Sequence, residues 1–219
     1  MKRILDFSAS LVGLILLLPL FLFLSLLVVF TSKGGVFFRG ERVGKNGNIF
    51  RIYKFRSMVK DAEGKGKWNV GNNDPRITKI GKFLRKTKLD ELPQLMNVIK
   101  GDMSLVGPRP ELSFYVNKYT EKEKAILELR PGITDWASMV NISQFETFTS
   151  AEDPDEAYEK HIRPIKLKLQ LYYRYNNSFF GDISILIWTV YKVVTRTKKL
   201  PNKIEFLLEN IGLKEQNYE

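Results

Sequence analysis

The sequence predicts a helix-rich α/β fold with few strands, several amphipathic helices, and a membrane-seeking helix at the amino terminus. Three observations predict it. Leu11 to Phe30 carries no charge and is dominated by Leu, Val, Phe and Ile, about the length that crosses a hydrocarbon core as a helix. Further on, apolar residues recur at helical spacing in several separate stretches. Only Ile49 to Phe55 (Ile-Phe-Arg-Ile-Tyr-Lys-Phe) alternates with β-branched and aromatic types in the manner of a strand.

The amino-terminal run is too long for the apolar part of a signal peptide and is followed by Thr31-Ser32-Lys33-Gly34-Gly35, with no small-residue cleavage pattern. Pro19 predicts a kink, because a proline inside a helix removes one hydrogen bond and crowds the preceding turn. Lys2 and Arg3 precede the run, and Lys33, Arg39, Arg42 and Lys45 follow it. Positive charge on both flanks is expected if both ends stay on the cytoplasmic side. The residues alone leave two paths open, a kinked span and a helix that bends at Pro19 and returns.

After the strand, Lys60 to Asn73 is rich in Gly, Lys and Asn and reads as a surface loop. Ile80 to Lys88 reads as a basic helix. Leu89, Leu92, Met96 and Ile99 predict a second helix that ends at Gly101. Gly107-Pro-Arg-Pro110 forces an extended turn. Glu111 to Leu129 reads as helical until Arg130-Pro131-Gly132 breaks it. Phe145 to Tyr158 is acidic and aperiodic, Ala157 to Asn176 is a long basic amphipathic helix, and Asp182 to Val194 is an apolar one. Ile204 to Ile211 closes with a short amphipathic helix.

Composition narrows the chemistry. The net charge of +11 suits an anionic partner such as phosphorylated substrates, anionic lipid head groups or nucleic acid. With no cysteine and a single histidine, His161, disulfides, thiolate metal sites and multi-histidine zinc sites are excluded. Acid, base or nucleophile work therefore falls to carboxylates. The densest candidate lies between Leu84 and Pro110. Asp90 and Glu91 open the second helix, where the helix dipole favours ionised carboxylates. Thr87 and Asp90 also have capping-box spacing, so a plain helix cap is the competing explanation. Around them stand Arg85, Arg109 in its Pro-bracketed turn, and Lys54 and Arg56 at the end of the strand. Phosphoryl transfer needs this mixture of an oxygen nucleophile, carboxylates for a divalent cation, and cations for the moving group.

Lys88-Leu-Asp-Glu-Leu-Pro-Gln94 followed by Asn97-Val-Ile-Lys-Gly-Asp-Met-Ser-Leu-Val-Gly-Pro-Arg-Pro110 strongly resembles the bacterial sugar transferase family, the small monotopic phosphoglycosyl transferases. Ile52-Tyr-Lys-Phe-Arg-Ser-Met58 and Arg130-Pro-Gly-Ile-Thr134 match further family motifs in the same order, and the similarity runs to about Lys192. The resemblance implies a re-entrant helix over residues 1–33 broken at Pro19, a catalytic domain over 34–200 built as a small soluble core with interfacial amphipathic helices around it, and a tail over 201–219. It implies Asp90 as nucleophile, Asp90 and Glu91 as the pair associated with Mg2+, and Arg85 and Arg109 as phosphate-binding residues, with Lys54 and Arg56 in a family motif beside them. A UDP-sugar donor, a polyprenyl (undecaprenyl) phosphate acceptor, release of UMP, and a place among anionic lipids at the cytoplasmic face of the bacterial inner membrane follow from the same resemblance, which also admits a homodimer.

Departures from the family pattern stand out. Leu18, not serine, precedes Pro19, and Lys88 stands where relatives usually carry serine. After Thr134 the chain reads Asp135-Trp-Ala-Ser-Met-Val-Asn-Ile-Ser-Gln144 where relatives have Gly and later Asn-Gly-Arg. Asp153-Pro-Asp155 looks like a DxD metal motif but reads as a solvated loop, and His161 as a surface residue. The basic residues Lys192, Arg196, Lys198 and Lys199 suit lipid head groups. A nucleic-acid partner is not expected, since no recognition helix, stacking platform or binding module is present. A non-catalytic membrane scaffold of the same fold is the remaining alternative, opposed by the intact Arg85, Asp90, Glu91 and Arg109.

Overall fold

The computed structural model describes residues 1–60, 62, 74–140, 154–197 and 199–210. The expected loop at Lys60 to Asn73 apart from Lys60 and Ala62, most of the acidic stretch, Asn141 to Gln144, Asp153, Lys198 and the end of the tail lie outside the described residues.

Helix α1 (Lys2–Leu16) and helix α2 (Leu18–Thr31) meet at a 64° bend. Among the described residues no single helix is long and apolar enough to cross a membrane, but this bent pair has the length and composition of a broken span or a re-entrant loop. The break falls at Leu17, and Pro19 lies in the first turn of α2. There its missing N–H costs nothing, because the first turn has no intrahelical acceptors to serve. The sequence expectation of a break at Pro19 is thus corrected by two residues. Ser25, about two turns into α2, donates its hydroxyl to the Phe21 carbonyl at 2.6 Å.

The hairpin is built into the core. Phe21, Leu24 and Val28 of α2 are buried against Phe55 and Leu84. The Phe55 ring sits 5.3 Å from Phe21 and 5.5 Å from Phe37. On α1, Arg3 donates to the Val98 and Ile99 carbonyls, and buried Asp6 accepts from Ser104 Oγ at 2.7 Å and Leu105 N at 3.2 Å. The other side of the pair leaves Ile4, Val12, Leu16, Leu22, Phe23 and Phe30 exposed, and exposed apolar residues grouped in this way mark a contact with lipid or another apolar partner.

Strands β1 (Phe37–Val43) and β2 (Ile49–Phe55) form an antiparallel hairpin, with Phe37 opposite Phe55 and Val43 opposite Ile49. Helix α3 (Lys79–Thr87) agrees with the sequence expectation. The single helix expected from Leu89 to Lys100 is instead a 3-10 turn, Leu89–Glu91, followed by α4 (Gln94–Lys100). Both have apolar residues three or four apart, so spacing could not separate them, and Pro93 provides the break. The strands β3 (Ser104–Val106) and β4 (Gly132–Thr134) pair in parallel.

The helix expected from Glu111 to Leu129 is broken into α5 (Ser113–Val116), α6 (Glu121–Lys124) and a 3-10 turn at Ala125–Glu128. Thr120 restarts it with a capping box, its hydroxyl and backbone N–H exchanging bonds with Glu123. The long amphipathic helix is α7 (Pro154–Ala157), a wider π turn at Tyr158–Ile162, and α8 (Arg163–Asn176). Pro164 has no N–H to give the Lys160 carbonyl, and the wide turn sits over that position. Helix α9 (Phe179–Thr195), capped by Ser178, and α10 (Asn202–Asn210) complete the fold. A core of Val106, Trp136, Met139, Leu169, Tyr173, Ile185 and Ile204 lies among them. Lys192, expected at the lipid surface, is buried and donates to the Lys199 carbonyl at 2.9 Å. His161 is exposed, as read.

Candidate active site

The site forms where a tight turn meets the ends of two strands. Lys88 ends α3 in the left-handed conformation, φ 60°. The chain then drops into the Leu89–Glu91 turn, which buries Asp90 and brings Glu91 inward. The capping box expected from Thr87 and Asp90 does not form. The Thr87 hydroxyl donates back to the Phe83 and Leu84 carbonyls instead, which leaves Asp90 uncommitted.

Lys54 arrives from β2. Its ammonium donates to Glu91 Oε1 at 2.9 Å. Buried Asn97 fixes the distance between β2 and α4: its amide donates to the Arg51 carbonyl and Asp102, and its oxygen accepts from Tyr53 N. Arg109 arrives from the turn after β3 and grips Glu91 with both terminal amino groups, one at 3.0 Å from Oε2. That two-pronged geometry is the stronger form of arginine–carboxylate pairing. The turn is possible because two glycines let backbones touch. A Cβ on Gly107 would lie 2.4 Å from the Arg130 carbonyl oxygen, and one on Gly132 would lie 2.1 Å from Gly107 N. Hence the Gly107-Pro-Arg-Pro110 and Arg130-Pro-Gly132 motifs pack together.

The two carboxylates differ sharply. Burial pushes the Glu91 carboxyl up, but Arg109 and Lys54 outweigh it and hold Glu91 well below the ordinary carboxylate range. For Asp90, burial first and the Glu91 charge second push the carboxyl up, against incomplete opposition from Lys54, Arg85 and Lys88. Asp90 Oδ1 is buried and meets no hydrogen-bond partner among the described residues. Arg109 is held above its ordinary value chiefly by Glu91, while Lys54 is lowered chiefly by burial. Arg85 spends its Nε–H on Ser57 Oγ at 2.9 Å.

Of the residues singled out in the sequence, Lys54, Arg85, Asp90, Glu91 and Arg109 form one electrostatic cluster. Arg56 does not join it. One of its amino groups donates to the Ser32 carbonyl at 2.6 Å and Ser32 Oγ at 2.9 Å, closing the carboxy-terminal end of α2. The carbonyls there have no intrahelical donors, so a buried guanidinium finds its acceptors at that end. Asp135, the first residue of the divergent stretch, is a contributor that motif reading missed. It is buried and accepts from Arg109 N at 3.2 Å, from Ser138 N and Oγ, and from Gln170 at 2.9 Å. Its only sequence signal was the departure from Gly at that position. Arg76 is raised chiefly by its bonds with Asp74, and Asp155, read as part of a solvated loop, adds a smaller push in the same direction.

A divalent magnesium ion is commonly held by one or two carboxylates together with substrate phosphates. The unpartnered Asp90 oxygen fits such a shared site. Glu91 is already engaged by three N–H bonds, so its part depends on those cations yielding. No group of three His, Cys, Asp or Glu side chains converges among the described residues, so phosphate oxygens of a ligand would have to complete the coordination.

A family model described as bacterial sugar transferase matches residues 1–196. A UDP-N-acetylgalactosamine-undecaprenyl-phosphate N-acetylgalactosaminephosphotransferase of Aeromonas hydrophila is 38% identical over 197 residues, covering 89% of this chain and 44% of that protein. An uncharacterized sugar transferase, EpsL, of Bacillus subtilis (strain 168) is 39% identical over 194 residues, covering 89% of this chain and 87% of its own length. A UDP-glucose:undecaprenyl-phosphate glucose-1-phosphate transferase of Escherichia coli (strain K12) is 36% identical over 195 residues, covering 88% and 40%. The chain therefore spans less than half the length of two of these relatives and most of the third.

Proposed function

The chain belongs to the bacterial sugar transferase family, and from that premise we propose that it moves a sugar 1-phosphate from a UDP-sugar to undecaprenyl phosphate at the cytoplasmic face of the membrane, in the first membrane step of glycoconjugate synthesis. The names of the Aeromonas and Escherichia relatives support the donor and acceptor classes. The bent, apolar pair α1–α2, with cations on both flanks, supports a re-entrant anchor.

The observation that carries the mechanism is the unpartnered carboxylate of Asp90 amid cations. In the first step an Asp90 oxygen attacks the β-phosphorus of the donor, the bond from that phosphorus to the bridging oxygen breaks, and UMP leaves. The product is an aspartyl phosphosugar. In the second step an oxygen of the lipid phosphate attacks the same phosphorus, the bond to Asp90 breaks, and the carboxylate returns. Lys54 and Arg85 favour the charged form of Asp90 that the attack needs. Glu91, held ionised by Arg109 and Lys54, keeps those two cations at fixed positions beside it. Arg85 meets the diphosphate with its remaining N–H donors. Magnesium held by Asp90 and Glu91 would supply neutralisation of the phosphate charge.

The test is a donor screen. Full-length protein in lipid nanodiscs is given undecaprenyl phosphate and a panel of UDP-sugars, and UMP is measured. Release that depends on the acceptor, stops in excess EDTA, and leaves a phosphosugar adduct on Asp90 by mass spectrometry when acceptor is withheld is expected. No UMP with any donor, or a rate law requiring both substrates bound together, would end the proposal.

A further inference from the structure

We infer that Ser57 is a positioning residue for the phosphate-gripping arginine: its hydroxyl locks the Arg85 guanidinium in place and leaves both terminal amino groups open to the substrate. The inference rests on the proposed transferase reading for its substrate but on local geometry for its mechanism.

Ser57 follows β2 and is buried. Its main chain is pinned to the start of α3, because its carbonyl accepts from Thr78 N at 3.1 Å and lies 3.4 Å from the Thr78 hydroxyl. Thr78 in turn caps α3, its side chain accepting from Gly81 N at 2.9 Å. The contact is so close that a Cβ on Gly81 would sit 1.9 Å from the Ser57 carbonyl oxygen. Gly81 and Arg85 are four residues apart, on one face of the helix. The same clamp that presses Ser57 onto Gly81 therefore sets its hydroxyl beside Arg85, where Oγ accepts from Nε at 2.9 Å.

The consequence appears on comparing the two arginines of the site. Arg109 spends both terminal amino groups on Glu91. Arg85 spends only Nε–H, and among the described residues no acceptor meets its terminal amino groups. Those two groups form the planar fork that matches a pair of phosphate oxygens. A long side chain normally loses rotamer freedom on gripping a ligand. Here the Ser57 bond has already removed part of it.

The closing experiment uses the full chain in nanodiscs with UDP-N-acetylgalactosamine and UDP-glucose as donor probes. Ser57→Ala is expected to raise the donor KM about tenfold with kcat within about threefold, as for a lost hydrogen bond to a charged group. Ser57→Thr, which keeps the hydroxyl, is expected to restore KM to within about twofold. In an Arg85→Gln background, Ser57→Ala is expected to add nothing, because the two act through one contact. A Ser57→Ala enzyme with unchanged KM, or losses that multiply in the double variant, overturns the inference. A second readout is independent of turnover: the Arg85 Nε–H signal in 15N-arginine-labelled protein, assigned by its loss in Arg85→Gln. Slow solvent exchange in the parent and in Ser57→Thr, and fast exchange in Ser57→Ala, support the link; an unchanged signal in Ser57→Ala refutes it. If the parent released no UMP with either donor, the transferase reading would fall while this signal still decided the Ser57–Arg85 contact.

Discussion

Among the buried carboxylates of the described residues, Glu111 and Asp90 are finished differently. At Glu111, which follows the Arg109 turn, every oxygen is engaged. Lys166 and Tyr158 donate to Oε1, and Tyr119 donates to Oε2 at 3.0 Å. Burial pushes the Glu111 carboxyl up, but Lys166 and the hydrogen bonds outweigh it and hold it below its ordinary value. At Asp90, similarly buried, one oxygen has no partner and the pKa is raised. Burial is shared, so burial does not explain the contrast; closure does. A satisfied cluster holds structure together, whereas an unsatisfied one keeps a reactive oxygen available at a cost in stability.

The comparison can be broken at either end. The largest effect is expected from Asp90→Asn. UMP release should fall by at least about a thousandfold, as when a nucleophile is removed from a unit that works together. Folding stability at neutral pH should not fall, because the lost group was unpaired. A urea titration that shows Asp90→Asn clearly less stable than the parent would contradict the open reading of that carboxylate.

Glu111→Gln is expected to do the reverse. Lys166 would remain buried without its counter-charge, and stability should drop by about 3 kcal/mol, read from the urea midpoint. Donor KM in the surviving folded fraction should stay near that of the parent. Acid sharpens the point. The folded pKa of Glu111 lies below its unfolded value, so its stabilisation is fully present above about pH 4.5. It is lost as pH falls through the folded value. The stability gap between parent and Glu111→Gln should therefore narrow only below that pH, and a gap that narrowed already between pH 7 and 5 would count against the assignment.

The smallest effect concerns Lys88. Its left-handed backbone costs a residue with a Cβ about 1 kcal/mol. Lys88→Gly should raise the melting temperature by a few degrees through that relief, offset in part by the added freedom of the unfolded chain. A fall in melting temperature would mean that the lysine side chain supports the turn more than its backbone strains it.

Much of the site was legible because its chemistry is contiguous in the chain. Asp90, Glu91 and Arg85 lie within one turn and one helix, and β2 shows its alternation openly. What sequence could not show depended on partners distant in the chain. Strand β1 hides behind Gly40 and the charged residues Arg39, Glu41 and Arg42, and it becomes a strand only by pairing with β2. Strands β3 and β4 are three residues each, too short for any period to register. Lys54 and Arg56 read as twins in the motif, yet only Lys54 reaches Glu91, because the strand stops between them and Arg56 finds the open end of α2. Asp135 looked like a lost family residue, and only the fold reveals it under the Arg109 turn.

The way α1 is stitched to the rest has a practical side. Removing residues 1–33 is the obvious way to make such a protein easier to purify. The cut would strip Phe21, Leu24 and Val28 from around Phe55 and Leu84. It would also uncap α4, whose last carbonyls Arg3 now serves, and leave Ser104 and Leu105 without Asp6. Greasy leader and working body are one folding unit. Detergents, nanodiscs or a solubilising fusion, rather than truncation, are the routes by which the intact protein would reach the bench.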